Sequence, residues 1–340
     1  MGSKFVELPI VEPMFTTYQF QGASTAIISE NPSIRNWILN EVMILVCGRK
    51  FLKGRTTPNL DIVDSAWWQN PHIDRICYPF PYVKGYINVI IREVLDNGYY
   101  VQYDGVDDYY MKGKSWYKER HARHDGLICG YNREDKTYCL YAYNSKWVYS
   151  KFWVPQRCFD KGREAILKSG GYGDICAIRA NPEHVDFSPE AVYRKLTEYL
   201  DSSFGKYPTD ERSEAFGIIV QDYIGMYVGK LYDGSIPYER MDRRVFRIIW
   251  EHKKVMLERI ATMEKTLDLA PVFSKQYEKI VADSNTMRML YASHHMRRRD
   301  SVLPTIQKGI YQLKEDEERI LTTFVDKIGG IIKSEAVESH

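Results

Sequence analysis

The spacing of apolar residues changes character part-way along the chain. Up to about residue 180, short helical and strand patterns are broken by Gly, Pro and aromatic residues. Asn31-Pro32-Ser33 reads as a helix start with Ser33 as N-cap, and Ile34, Trp37, Ile38, Met43, Leu45 and Val46 carry its apolar set to Gly48. Lys84 to Asn97 predicts a second helix, with Ile87, Ile90, Ile91, Val94 and Leu95 on one face and Asn97-Gly98 as its stop. Strand patterns follow at 99–103, 126–131, 137–143 and 147–149. From Ser188 the period becomes helical, and Ser188-Pro189-Glu190 supplies an N-cap, an N1 proline and a first-turn acid. Helices are predicted at about 188–201, 211–232, 238–266, 272–297 and 303–333. This order predicts an α+β fold rather than alternating βαβ units. The boundary falls near Pro182, with a mixed domain holding an antiparallel sheet over 5–182 and an all-helical domain over 183–335.

Composition narrows the function classes. The chain has 340 residues, and Lys+Arg (47) nearly cancels Asp+Glu (45), so no excess charge calls for nucleic acid as a partner. No apolar run approaches the roughly 18 residues of a membrane span, and the first residues carry no signal-peptide core. A cytoplasmic protein is the expectation. The 26 Tyr and 7 Trp would serve either a large core with Tyr-rich strands or the lining of a site for an extended, partly apolar ligand. Six cysteines, at 47, 77, 129, 139, 158 and 176, have no zinc-type spacing and are expected to be reduced.

The chemistry concentrates in one segment. His124 to Tyr131 and Thr137 to Asn144 flank a polar, turn-like stretch, which predicts a hairpin. With its turn centred on Glu134, the register sets His124 opposite Asn144 at a Cα separation of roughly 4.5–5.5 Å. The Asn carbonyl would then accept from one ring nitrogen and aim the other at a nucleophile, the base–orienter pair of a triad. The competing reading is a polar pair at a sheet end. The same register sets Cys129 opposite Cys139, expected as two buried thiols without a disulfide.

A nucleophile belongs earlier, at the positive end of a buried helix. Tyr18 to Ile28 suits that place: polar residues, Gly22, the small Ala23 and Ser24, then an apolar run. This order, from small-residue helix start to strand-start His to Asn on the next strand, resembles the papain-like fold. More particularly, His124-Asp-Gly-Leu-Ile-Cys-Gly-Tyr131 and Tyr141-Ala-Tyr-Asn144 resemble the butirosin-biosynthesis acyltransferase-like proteins, distant relatives of the cysteine peptidases that trim bacteriocin leaders. Phe246 to Lys254 is similar to a stretch of such proteins that accompany non-ribosomal peptide clusters. The likeness is carried in short patches over about half the chain.

The resemblance implies transfer of an acyl group from a thioester on a phosphopantetheinyl acyl- or peptidyl-carrier protein to a small-molecule amine, with no cofactor or metal of the chain's own. His124 would be the general base, Asn144 its orienter and Ser24 the acyl acceptor, with Gln19 or Gln21 donating to the oxyanion. The chain departs from the family at the nucleophile, where Gly22-Ala23-Ser24 stands in place of a cysteine. Direct aminolysis assisted by His124 is the route without a covalent intermediate. The other readings are a non-catalytic accessory protein on a degenerate peptidase fold, and a hydrolase. Cys47 and Cys77 are weaker nucleophile candidates, the latter beside Arg75. His121, His124 and Asp125 are spaced poorly for a metal, Trp67-Trp68 would wall a groove or pack in the core, and the basic run 294–299 reads as a solvated helix face or, more sharply, a docking patch for an acidic partner.

Overall fold

The computed structural model describes residues 3–28, 31–54, 57–65, 68, 70–181, 183–205, 207–209 and 213–338. In chain order the elements begin with β1 (Phe5–Glu7), α1 (Gln19–Ile28), α2 (Pro32–Glu41), β2 (Leu45–Gly48), β3 (Asp61–Ile62) and β4 (Ile73–Pro79). Next are α3 (Phe80–Val83), α4 (Ile87–Asp96), β5 (Tyr100–Asp107), β6 (Arg123–Asn132), β7 (Thr137–Tyr143), β8 (Tyr149–Pro155), α5 (Gln156–Lys168) and β9 (Asp174–Ala180). The chain continues with α6 (Pro189–Leu200), β10 (Ser203–Phe204), β11 (Tyr207–Pro208) and β12 (Glu214–Phe216). It closes with α7 (Val220–Tyr232), α8 (Val245–Thr266), α9 (Val272–Arg297) and α10 (Leu303–Glu338). The fold is α+β. Residues 1–34 with 66–184 make one unit, and 35–65 with 185–340 make another.

The first unit is built on a seven-stranded antiparallel sheet ordered β4-β9-β5-β6-β7-β8, with β1 pairing β6 beyond the reach of β5. Alternation along β5 and β7 sends Val101, Tyr103, Tyr138 and Leu140 into a core that α4 and α5 close with Ile87, Ile91, Leu95 and Phe159. The alternate residues Tyr141 and Tyr143 point the other way. On that side α1 is met by Tyr149, whose ring lies where a Cβ on Gly22 would be, 2.4 Å away. The predicted hairpin is present, with a register change. Leu127 pairs Tyr141 and Ile128 pairs Leu140 as expected, but Cys129 bulges and Gly130 pairs Cys139. The bulge keeps Ile128 and Tyr131 both on the core face.

The cysteines depart from expectation at one pair. Cys77 on β4 and Cys176 on β9 are direct cross-strand neighbours and form a disulfide, so Cys77 is no nucleophile. The sulfurs of Cys129 and Cys139 lie 3.6 Å apart as free thiols.

In the second unit Ser188 caps α6 as expected, its Oγ accepting from Ala191 N–H at 3.1 Å. The predicted helix from 211 starts only at Val220, because 214–216 form β12, which pairs with β2. The predicted helix running to Gly48 ends at Glu41, and 45–48 form β2. Residues 35–65 therefore belong with the helical half instead of the expected 5–182 domain. Three contacts explain it. Arg259 on α8 donates to the carbonyls of Ile38, Leu39 and Val42, His252 reaches Met43 O at 2.7 Å, and Arg35 forms a bidentate pair with Glu258. The Ser33 side chain, Trp67 and Pro182 lie outside the described residues. Among the described residues, no helix is long and apolar enough to cross a membrane.

Candidate functional site

β5 ends at Asp107 with a second acid, Asp108, directly after it, and a run of tight turns then brings the chain back to the start of β6. This return puts two histidines on the two acids. His124 Nδ1 donates to Asp108 Oδ2 at 2.7 Å, and His121 Nδ1 donates to Asp107 Oδ2 at 2.6 Å. Each carboxylate fixes its partner's tautomer with the proton on Nδ1, leaving Nε2 as the basic nitrogen. The two pairs differ in setting. The side chain of Asp108 is 4% exposed and that of His124 37%, so a dry acid carries a ring that reaches solvent. His121 is 66% exposed and stacks on Tyr109 with ring centroids 4.2 Å apart. Asp107 is also used by the backbone, accepting from the N–H groups of Tyr109 and Ala122, which marks it as the organiser of the turn.

Behind His124 lies a buried polar cluster. Gln19, the first residue of α1, donates to Asp125 Oδ1 at 3.4 Å. Its amide oxygen accepts from Lys114 Nζ at 2.7 Å and from Tyr143 N–H at 3.3 Å, and its main-chain carbonyl accepts from Tyr149 Oη. Lys114 Nζ is also 3.8 Å from Asp108 Oδ1. Burial pushes the Asp125 carboxyl up to about 6, against the pull of the Lys114 cation. Burial pushes Lys114 down, while Asp108 and Asp125 push it up. Tyr103, enclosed beside Gly126, is pushed well up by burial and by the same two acids.

The expected site residues are only partly brought together. Asn144 is not the partner of His124. β7 stops at Tyr143, and the Asn144 carbonyl accepts from Lys146 and Val148 N–H to close the following turn, while its amide donates to Ser150 Oγ. Asp108 stands in the orienter's place. Ser24 is the sixth residue of α1, 2% exposed, and its hydroxyl faces the carbonyls of Phe20 (3.1 Å) and Gln21 (3.0 Å). A hydroxyl so placed is a helix back-bond. Gln21 works as a cap: its Oε1 accepts from Tyr18 N–H. The Gln19 amide is turned towards Asp125. Cys47 lies on β2, its thiol pushed up to about 12 by burial. No group of three or more metal-ligating side chains exists among the described residues, and His121 and His124 are held by separate acids.

No protein-family model matches the chain, and no curated protein matches it.

Asp107, Asp108, His121 and Lys114 were not legible as partners of this site. The one signal was the Asp107-Asp108 doublet closing a β-rich run, and no spacing rule says that the chain returns to it. The arrangement supplies a buried acid, an aimed imidazole and a fixed positive charge beside them. Such a set can take a proton from an incoming nucleophile and hand it to a leaving group.

Proposed function

We propose that the chain is an acyltransferase that forms an amide in small-molecule biosynthesis, on a scaffold of the papain-like kind. The observation that carries this reading is the Asp108–His124 pair, with its buried acid and solvent-reaching ring. In the reaction, His124 Nε2 takes a proton from an amine as its nitrogen adds to the carbonyl of a thioester. The tetrahedral oxyanion collapses with cleavage of the C–S bond, and the departing sulfur receives that proton from the imidazolium. Amide and free thiol are the products, and no nucleophile of the chain is consumed. The resemblance supplies the donor, a thioester on a phosphopantetheinyl carrier protein.

The engaged hydroxyl of Ser24 favours a second reading, a non-catalytic accessory protein that binds the same partner. The test is intact-mass detection of acyl release from a loaded carrier protein in the presence of an amine. His124→Ala should lower amide formation by roughly 10²–10⁴-fold, the usual yield of general acid–base catalysis. An unchanged rate would remove His124 from the mechanism. Release of free acid in place of amide would make the chain a hydrolase. A wild type that binds carrier but never turns over would make it an accessory protein.

A further inference from the structure

We propose that Lys114 is a positioning residue of this site: its buried ammonium stands beside the Asp108–His124 pair as a fixed positive charge and sets the pH at which the ring takes its proton. The inference rests on the reading of His124 as the base and names what sets its protonation.

Asp108 is 3% exposed, yet it holds a ring that must accept and release protons. A carboxylate buried this deeply needs an opposite charge close by. Its Oδ2 is satisfied by His124, while its Oδ1 is buried with no hydrogen-bond partner among the described residues. Lys114 Nζ, 3.8 Å from that oxygen and itself 3% exposed, faces it as a cation. Lys114 is held off direct contact by the Gln19 amide oxygen, which takes its hydrogen bond at 2.7 Å. The spacing makes the lysine a fixed charge that leaves the carboxylate free to serve the ring.

The groups around this charge set the sign of its effect. Asp125 on β6 couples to Lys114, as does Asp108; Tyr103 on β5 and Tyr149 on β8 are phenols held neutral by burial. Asp104 pairs with Arg123, and Asp107 with His121. Two acids, Asp108 and Asp125, thus share one lysine. Removing the lysine leaves the cluster more negative, so its members bind a proton at higher pH.

The measurement is the pH titration of the His124 ring by NMR in the folded protein, with His124→Gln identifying the signal. In Lys114→Met the ring should protonate about one pH unit higher, the shift expected when a nearby unit positive charge is removed and Asp108 keeps its own. Lys114→Arg, which keeps the charge, should return the titration towards the wild-type value. An unmoved titration in folded Lys114→Met overturns the assignment, because a lysine that only filled space would leave the ring unaffected. Should Lys114→Met not fold, the double change Lys114→Met/Asp108→Asn decides. Recovery of a folded chain on removing both charges supports the pairing, and a double variant as unfolded as the single one overturns it. The titration needs no turnover. A wild type inactive towards every donor would sink acyl transfer without touching this result, and an unmoved titration in an active enzyme would do the reverse.

Discussion

At the scale of the residue, the site depends on charges kept away from water. Asp125 shows the cost most directly. Its carboxyl is pushed by burial from an ordinary 3.8 to about 6, so folding disfavours its ionised form. Below about pH 4 the group is protonated whether the chain is folded or not, and the penalty is absent. Between about pH 4 and 6 the native state holds a proton that the unfolded chain releases, and stability falls as pH rises. Asp125→Asn removes this titration and should gain on the wild type across that window, by about 3 kcal/mol at neutral pH. Chemical denaturation of both proteins at pH 4 and pH 7 gives the difference. An advantage that does not grow with pH would mean that Asp125 is not buried as an acid. Gln19 belongs to the same scale, since one side chain there joins α1 to Lys114, Asp125 and β7.

At the scale of the element, the sheet brings its parts together by close backbone approach. β1 lies so near β6 that a Cβ on Gly130 would stand 2.4 Å from the carbonyl oxygen of Val6. A backbone atom cannot swing aside as a side chain can. Gly130→Ala should therefore push β1 away from β6 and destabilise the unit by about 1–3 kcal/mol, the usual result of overpacking. Hydrogen exchange locates the effect: the amides of Val6 and Glu7 should lose protection while those of β7 keep theirs. Equal protection in the two proteins would sink the idea. The bulge at Cys129 works at the same scale by restoring the core face after a change of register. The turn after β7 shows how an element end claims polar side chains, with Asn144 spent on its own backbone.

At the scale of the whole molecule, the helical unit carries its own buried charge. Lys253 on α8 and Glu317 on α10 are fully buried and lie 2.7 Å apart. Glu317 also accepts from Tyr199 on α6, Gln221 on α7 and Tyr277 on α9, so five helices meet at one carboxylate. An ion pair this dry adds little against an apolar core, but breaking it strands a charge. Lys253→Met should cost about 3–5 kcal/mol in urea denaturation, and Lys253→Met/Glu317→Gln should recover part of that loss. A single variant within about 1 kcal/mol of wild type would show that Glu317 finds other compensation. Arg259 plays a comparable part, joining α8 to the end of α2 through three carbonyls.

How much of this was legible in the sequence follows from the range of each interaction. The hairpin of β6 and β7, the Ser188 cap and the bounds of α9 are local. Alternation, capping chemistry and helical period depend on neighbours within a few residues, and those neighbours are written in order. His124 stood out for the same reason, as a histidine at a strand start. Its partner did not. Asp108 lies 16 residues away, Lys114 is 95 residues from Gln19, and Cys77 is 99 from Cys176. Residues 35–65 join the helical half through Arg259, more than 200 positions from the carbonyls it binds, with separations of 217 to 221 residues. Such pairs are chosen when loops close and buried polar groups must find partners, and many closures fit the same local pattern. The sequence by itself determined the α+β class, the hairpin and the histidine. Only the tertiary structure decided which acid holds that histidine, which lysine faces the acid, and that Asn144 and Ser24 are spent on their own backbone, because those outcomes turn on burial and hydrogen-bond competition across distant segments.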